Sequence, residues 1–176
     1  VADNCTDDTA RVARDAGAVV YERFDPVHVG KGYALNYLLQ QIRDAWGDDY
    51  FEGYFVFDAD NLLQGDYISR MNETFDGGCS IVTSYRNSKN FGSNWISAGY
   101  GLWFLRDAAF LNAPRARLGV SAVVAGTGFL FSREIMLRND GWPFHSLSED
   151  TEFTVHSVLR GERVGYCGAA ELFDEQ

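Results

Sequence analysis

Apolar residues recur along the first half of the chain in two rhythms. Leu35, Leu38, Leu39, Ile42, Ala45 and Trp46 fall on one face of a 3.6-residue repeat between Lys31 and Gly47, which predicts an amphipathic helix. Short runs without that period lie on either side of it. Ala18 to Tyr21 and Tyr54 to Phe57 are rich in β-branched and aromatic residues and predict buried strands. A polar turn from Asp3 to Asp8 predicts a helix start near Thr6 or Asp7, with Ala10, Ala13 and Ala16 on one face and Gly17 as the stop. Gly65 to Phe75 predicts a further helix and Ser80 to Tyr85 a further strand. Strands and helices alternating at such short intervals predict an α/β fold, with a mostly parallel, doubly wound sheet and helices on both faces.

The second half is more aromatic and less regular. Trp95, Ile96, Tyr100, Leu102, Trp103, Phe104, Phe110 and Leu111 make Asn94 to Asn112 a helical apolar segment, broken at Arg106-Asp107. Such a stretch is read first as core, and as a sugar-binding groove second. Gly119 to Phe131 predicts a strand, a bend at Gly126-Thr127-Gly128 and a second strand. Glu149 to Arg160 predicts a last helix, stopped by Gly161, and Arg163 to Cys167 a closing strand.

With 176 residues, 46% of them hydrophobic, the chain has enough apolar material for one core, and residues 1–176 are expected to form one domain. The net charge of -10 argues against nucleic acid as a partner, since phosphate-backbone binding needs clustered Lys and Arg. Three cysteines, Cys5, Cys79 and Cys167, without a C-x-x-C pair, indicate neither a disulfide framework nor a zinc site. No apolar run reaches the roughly 20 residues of a membrane span. Val1-Ala2 reads as the tail of a strand already under way, so the chain is expected to be the middle of a larger protein, cut at both ends.

The candidate chemistry lies at element ends. Asp58 and Asp60 follow the Tyr54 to Phe57 run, where open α/β sheets place their ligands, and oxygen-only donors suit Mg²⁺ or Mn²⁺. Set against this, acidic residues after strands are commonly plain turns or caps. Glu149-Asp150 opens the last helix behind Ser148; acidic residues there complement the helix dipole, and the same dipole favours the ionised form a general base needs. Lys31 sits between Gly30 and Gly32 ahead of the strongest helix, without the following Ser or Thr of a P-loop. His145 and His156 have no partner at metal-ligand spacing and read as packed or surface residues.

Together these segments, in this order, resemble family 2 glycosyltransferases of the GT-A fold, in particular the membrane-bound branch that includes cellulose-synthase-like and poly-N-acetylglucosamine-synthase-like enzymes. Val1 to Asp7 is similar to the family's aspartate loop, which places Asp3 at the uracil end of the donor. Gly30 to Asn36 is similar to its lysine segment, with Lys31 near the nucleotide, and Phe57 to Asn61 to its metal motif. Ala125 to Glu134 resembles the acceptor-side loop, and Leu147 to Phe153 resembles the Thr-Glu-Asp motif whose Asp is the base, with Ser148 in place of Thr. The family's first strand and its Gln-x-x-Arg-Trp motif have no counterpart in these residues, so the chain alone is expected to be inactive or nearly so.

The resemblance implies an inverting hexosyl transfer from a UDP-sugar donor to a glycan or lipid-linked acceptor. Asp3, Lys31 and Asp58 would bind the donor, Asp60 with Asp58 would hold Mg²⁺ or Mn²⁺, and Asp150 would act as base. Gly126, Thr127, Gly128 and Glu149 would face the acceptor. Membrane contact is expected only through segments outside this chain, which puts the parent protein at the cytoplasmic face of the cell membrane. Two other readings stay open: a sugar-phosphate nucleotidyltransferase, against which Glu149-Asp150 after the Gly-Thr-Gly bend argues, and a UDP-binding module without turnover.

Overall fold

The computed structural model describes residues 1–175. In chain order the elements are β1 (Ala2–Asp3), α1 (Thr9–Asp15), β2 (Glu22–Arg23), α2 (Lys31–Trp46), β3 (Gly53–Val56), β4 (Leu62–Leu63), α3 (Tyr67–Asp76) and β5 (Ile81–Ser88). There follow α4 (Trp95–Arg106), a π-helical turn (Asp107–Asn112), α5 (Ala113–Arg117), β6 (Phe129–Ser132), α6 (Arg133–Arg138), α7 (Glu149–Leu159) and β7 (Val164–Asp174). The α/β expectation holds, but the larger sheet is mixed rather than mostly parallel, with three of its four strand pairings antiparallel. None of these helices is long and apolar enough to cross a membrane. The described residues gather into two compact units, 1–52 with 133–149, and 53–132 with 150–175.

In the first unit β1 and β2 pair in parallel. The strand expected at Ala18 to Tyr21 is instead irregular, and the ladder falls on Glu22–Arg23. Its partner sets its length: β1 offers only Ala2 and Asp3 before the polar turn, and Val19 is left 70% exposed. Helix α1 begins at Thr9, two residues later than expected from Asp7, because Asp7 Oδ1 accepts from the Thr9 amide at 3.0 Å and fixes the turn ahead of it. Helix α2 matches its expected span, and Gly47 at φ +81° ends it. Its start is set by packing, since a Cβ on Gly32 would fall 1.9 Å from the carbonyl oxygen of Phe144. Trp142 and Phe144, an edge-to-face pair 5.2 Å apart, are both buried here.

The second unit is a five-stranded mixed sheet in the order β3-β6-β5-β7-β4. Strands β3, β5 and β7 share one direction; β6 and β4 run against them. Tyr67 and Met71 of α3 pack with Val82, Leu130, Cys167 and Leu172 in its core. The register of β5 with β7 shifts between Ser84 and Tyr85, so that Ser84 faces Cys167 while Tyr85 faces Glu171.

Three expectations need correction in this unit. The strand expected after Gly119 does not form: the amides of Val123 and Val124 are taken by the side chains of Asn112 and Thr154, so no ladder can propagate. The helix expected to break at Arg106-Asp107 continues instead as the π-helical turn. Most of its apolar residues are not core: Trp95 is 83% exposed and Ile96, Tyr100, Leu102, Trp103 and Phe110 are exposed too, while Phe104 is buried with Ser97, Gly101, Ala108 and Asn112 on the inner side. Asn94 caps that helix by accepting from the amides of Ile96 and Ser97 at 2.8 and 3.0 Å. The two-residue β4, the short α6 and the extension of β7 from Cys167 to Asp174 had no periodic signal of their own.

Candidate functional site

In the second unit the acidic turn follows β3 directly. Its shape is fixed by a buried polar chain that ties three distant segments together. The Asp58 amide donates to Thr127 Oγ1 at 2.9 Å and to Asn61 Oδ1 at 3.2 Å, and the Thr127 hydroxyl donates to the same Asn61 oxygen. Asn61 Nδ2 then donates to Asp174 Oδ1 at 2.7 Å, at the end of β7. Asp174, only 2% exposed, is ion-paired with Arg86 of β5, whose Nη1 also donates to the Ala125 carbonyl at 3.2 Å. Buried polar groups are costly unless partnered, so this fully bonded chain holds the turn and the Ala125 to Gly128 bend in one arrangement. Lys89 adds a clamp from outside, donating to the Asp60 carbonyl at 2.8 Å.

Asp58 is half-buried and Asp60 exposed. Among the described residues no group of three His, Cys, Asp or Glu gathers as a metal cage. Two carboxylates, one of them open to solvent, do fit a hard cation that keeps most of its shell for water and phosphate oxygens, as Mg²⁺ and Mn²⁺ do. They do not fit a closed structural site.

The bend itself is shaped by its glycines. Gly126 and Gly128 have φ of +72° and +65°. At Gly128 a side chain would strike Leu172, and its carbonyl accepts from Tyr67 Oη at 2.8 Å and Ser84 Oγ at 2.9 Å. Burial pushes the Tyr67 hydroxyl well above the usual tyrosine range, which keeps it a proton donor in this contact. Gly126 faces Asp150, in the first turn of α7. Asp150 Oδ1 accepts from the Thr151 amide at 2.7 Å, while Oδ2 accepts no hydrogen bond among the described residues. Asp150 also lines a cavity of about 390 Å³, together with Arg86, Trp103, Arg106, Arg115 and Ala125. A half-buried carboxylate with a free oxygen, opening on a cavity, is equipped to take a proton.

In the first unit Asp3 ends β1 and accepts from Arg23 Nη1 at 2.6 Å. Arg23, 9% exposed, also reaches Asp25 Oδ2 at 3.1 Å and the His28 carbonyl at 2.9 Å. The amide and ring of His28 and the amide of Val27 all contact the Asp25 carboxylate and hold it down at about 2. Lys31 is the first residue of α2, behind Gly30 at φ +135°. His145 stacks on Tyr33 with centroids 4.0 Å apart, which fits the packed role expected of it. Glu149 is half-buried at the start of α7.

Of the residues singled out in the sequence, Asp58, Thr127, Gly126 and Asp150 come together in the second unit. Asn61, Arg86, Lys89 and Asp174 complete that cluster and were missed. Asn61 alone had a signal, lying next to the acidic pair; the others are distant in sequence. A family model described as glycosyltransferase like family 2 matches residues 1–175. None of the curated proteins matches the chain.

Proposed function

The chain belongs to the family 2-like glycosyltransferases, and from that premise we propose that it carries out an inverting transfer of a hexose from a UDP-sugar to an acceptor hydroxyl. The observation that carries the mechanism is the free Oδ2 of Asp150, beside Gly126 at the mouth of a cavity. Asp150 takes the proton of the acceptor hydroxyl. The oxygen forms its bond to the anomeric carbon as the bond from that carbon to the diphosphate breaks, and UDP departs with the electron pair. Attack from the side opposite the leaving group inverts the centre.

Asp3 and Asp58 orient the nucleoside, and Lys31, at the N-terminal end of α2, binds the phosphates, where helix amides also favour anions. Asp60, with Asp58, would hold Mg²⁺ or Mn²⁺. When bound, such an ion supplies positive charge to the leaving diphosphate. Thr127 and Asn61 hold the Asp58 backbone, and Gly126, Gly128 and Glu149 shape the acceptor side. The acceptor is a glycan or a lipid-linked sugar, and the parent protein works at the cytoplasmic face of the cell membrane.

Calorimetric titration of UDP with Mn²⁺, then with EDTA, tests the donor half. Binding that needs the ion and is lost in Asp60→Ala is expected; ion-independent binding of equal strength in both would sink it. In the full-length protein Asp150→Asn should abolish transfer and leave UDP binding intact, whereas loss of both would make its role structural.

A further inference from the structure

The cavity beside Asp150 holds a charge that nothing in the mechanism uses. Of its three arginines, Arg86 is neutralised by Asp174 and Arg106 lies 3.4 Å from Asp107 with its guanidinium over the Trp103 ring. Arg115 is different. It is half-buried in the cavity wall, and its guanidinium has no hydrogen bond or ion pair among the described residues. In a chain of net charge -10, a partly desolvated cation left without a carboxylate is an anion site in waiting. Asp150 lines the same cavity and makes no ion pair with Arg115, so the two opposite charges border one cavity without neutralising each other.

The cavity also continues onto an apolar surface. Trp103 is shared with a groove of about 310 Å³ lined by Trp95, Ile96, Gly99 and Tyr100 of α4. From Asn94 to Leu118 the charges are Arg106, Arg115 and Arg117 against Asp107 alone, the reverse of the chain as a whole. Resting on the base assignment of Asp150, we propose that this cavity binds an amphiphilic acceptor. Its anionic group, a phosphate or carboxylate, lies on Arg115, its hydroxyl faces Asp150, and its apolar portion runs along Trp103 and Tyr100.

The test uses octyl phosphate and octyl glucoside, a charged and a neutral head on one tail, below their micelle concentrations, with inorganic phosphate as the tail-free probe. Titration is followed by tryptophan fluorescence, with circular dichroism of each variant as the folding control. Octyl phosphate should bind tighter than either other probe, and Arg115→Gln should weaken it about tenfold, the loss of one charge-assisted contact, while octyl glucoside is unchanged. Asp150→Asn, which removes the opposing charge, should tighten octyl phosphate. Equal binding of the two octyl probes, or an Arg115→Gln chain that is folded and binds octyl phosphate unchanged, would overturn the proposal. Inorganic phosphate binding as tightly as octyl phosphate would overturn its apolar part. UDP titrated into the same samples separates the readings: its failure to bind would strike the donor assignment and leave the anion site standing.

Discussion

The Asp150 carboxylate looks directly onto Gly126, where a methyl group would stand 3.4 Å from Oδ2. That glycine keeps the approach to the carboxylate clear and also adopts a φ, +72°, that other residues resist. Gly126→Ala should therefore lower stability by about 1 kcal/mol from backbone strain. Transfer should fall further, on the order of tenfold to a hundredfold, because the acceptor would be displaced from the base proposed in Asp150. Initial rates at saturating donor, beside urea unfolding, separate the two effects.

Arg86 and Asp174 form the most consequential ion pair of the cluster. Removing the guanidinium in Arg86→Met leaves Asp174, 2% exposed, as a buried charge without its counterion. The expected loss is about 3 kcal/mol, toward the lower end for such pairs because Arg86 keeps some contact with water. The metal-dependent UDP binding proposed above should weaken as well, since Asp174 fastens Asn61 behind the acidic turn. Urea midpoints and UDP titration on the same samples check both.

Gly32→Ala and Gly99→Ala make an opposed pair of helix substitutions. The Gly32 methyl would meet backbone, the Phe144 carbonyl, at 1.9 Å, and the expected cost is about 3 kcal/mol. Around Gly99 of α4 nothing lies within 4 Å, so alanine there should stabilise by about 0.5–1 kcal/mol through its helix preference. Thermal melts of the two variants should move in opposite directions.

At alkaline pH the folded chain should lose stability through Tyr166. Burial, then the neighbouring Tyr85, Cys167 and Glu171, push its hydroxyl from 10.0 up to about 12. A raised folded value means its contribution is whole below pH 10 and is lost as pH climbs through 12. Tyr166→Phe, which cannot ionise, should flatten the stability profile over that window. Chemical denaturation at stepped pH reads the slope.

What could be read from the sequence depended on the length of the signal. Helix α2 was legible nearly to the residue, because an apolar stripe of just over three turns lies between glycines at its two ends. Strands β1, β2 and β4 have two residues each, and no period can show in two residues. The aromatic run of α4 and the turn after it misled for a physical reason: high hydrophobicity predicts burial, and here Phe104 and the small residues Ser97, Gly101 and Ala108 face inward while Trp95, Tyr100, Trp103 and Phe110 face out. At the site, Asp58, Asp60, Thr127 and Asp150 stood out because each sits in a short motif. Arg86, Asp174 and Arg115 did not, since their meaning lies in who their neighbours are, or in Arg115's case in having none.

The bond from Asn61 to Asp174 spans 113 residues of chain. It gives the acidic turn a place in time as well as in space. A ribosome delivers Asp58 and Asp60 early, but their fastening arrives only when the end of β7 has been made and has paired with β5. Non-local pairings of this kind form late and slowly. A nascent chain that stops short of residue 174 thus carries the acidic motif without its frame, and the turn takes its fixed shape only once β7 is in place.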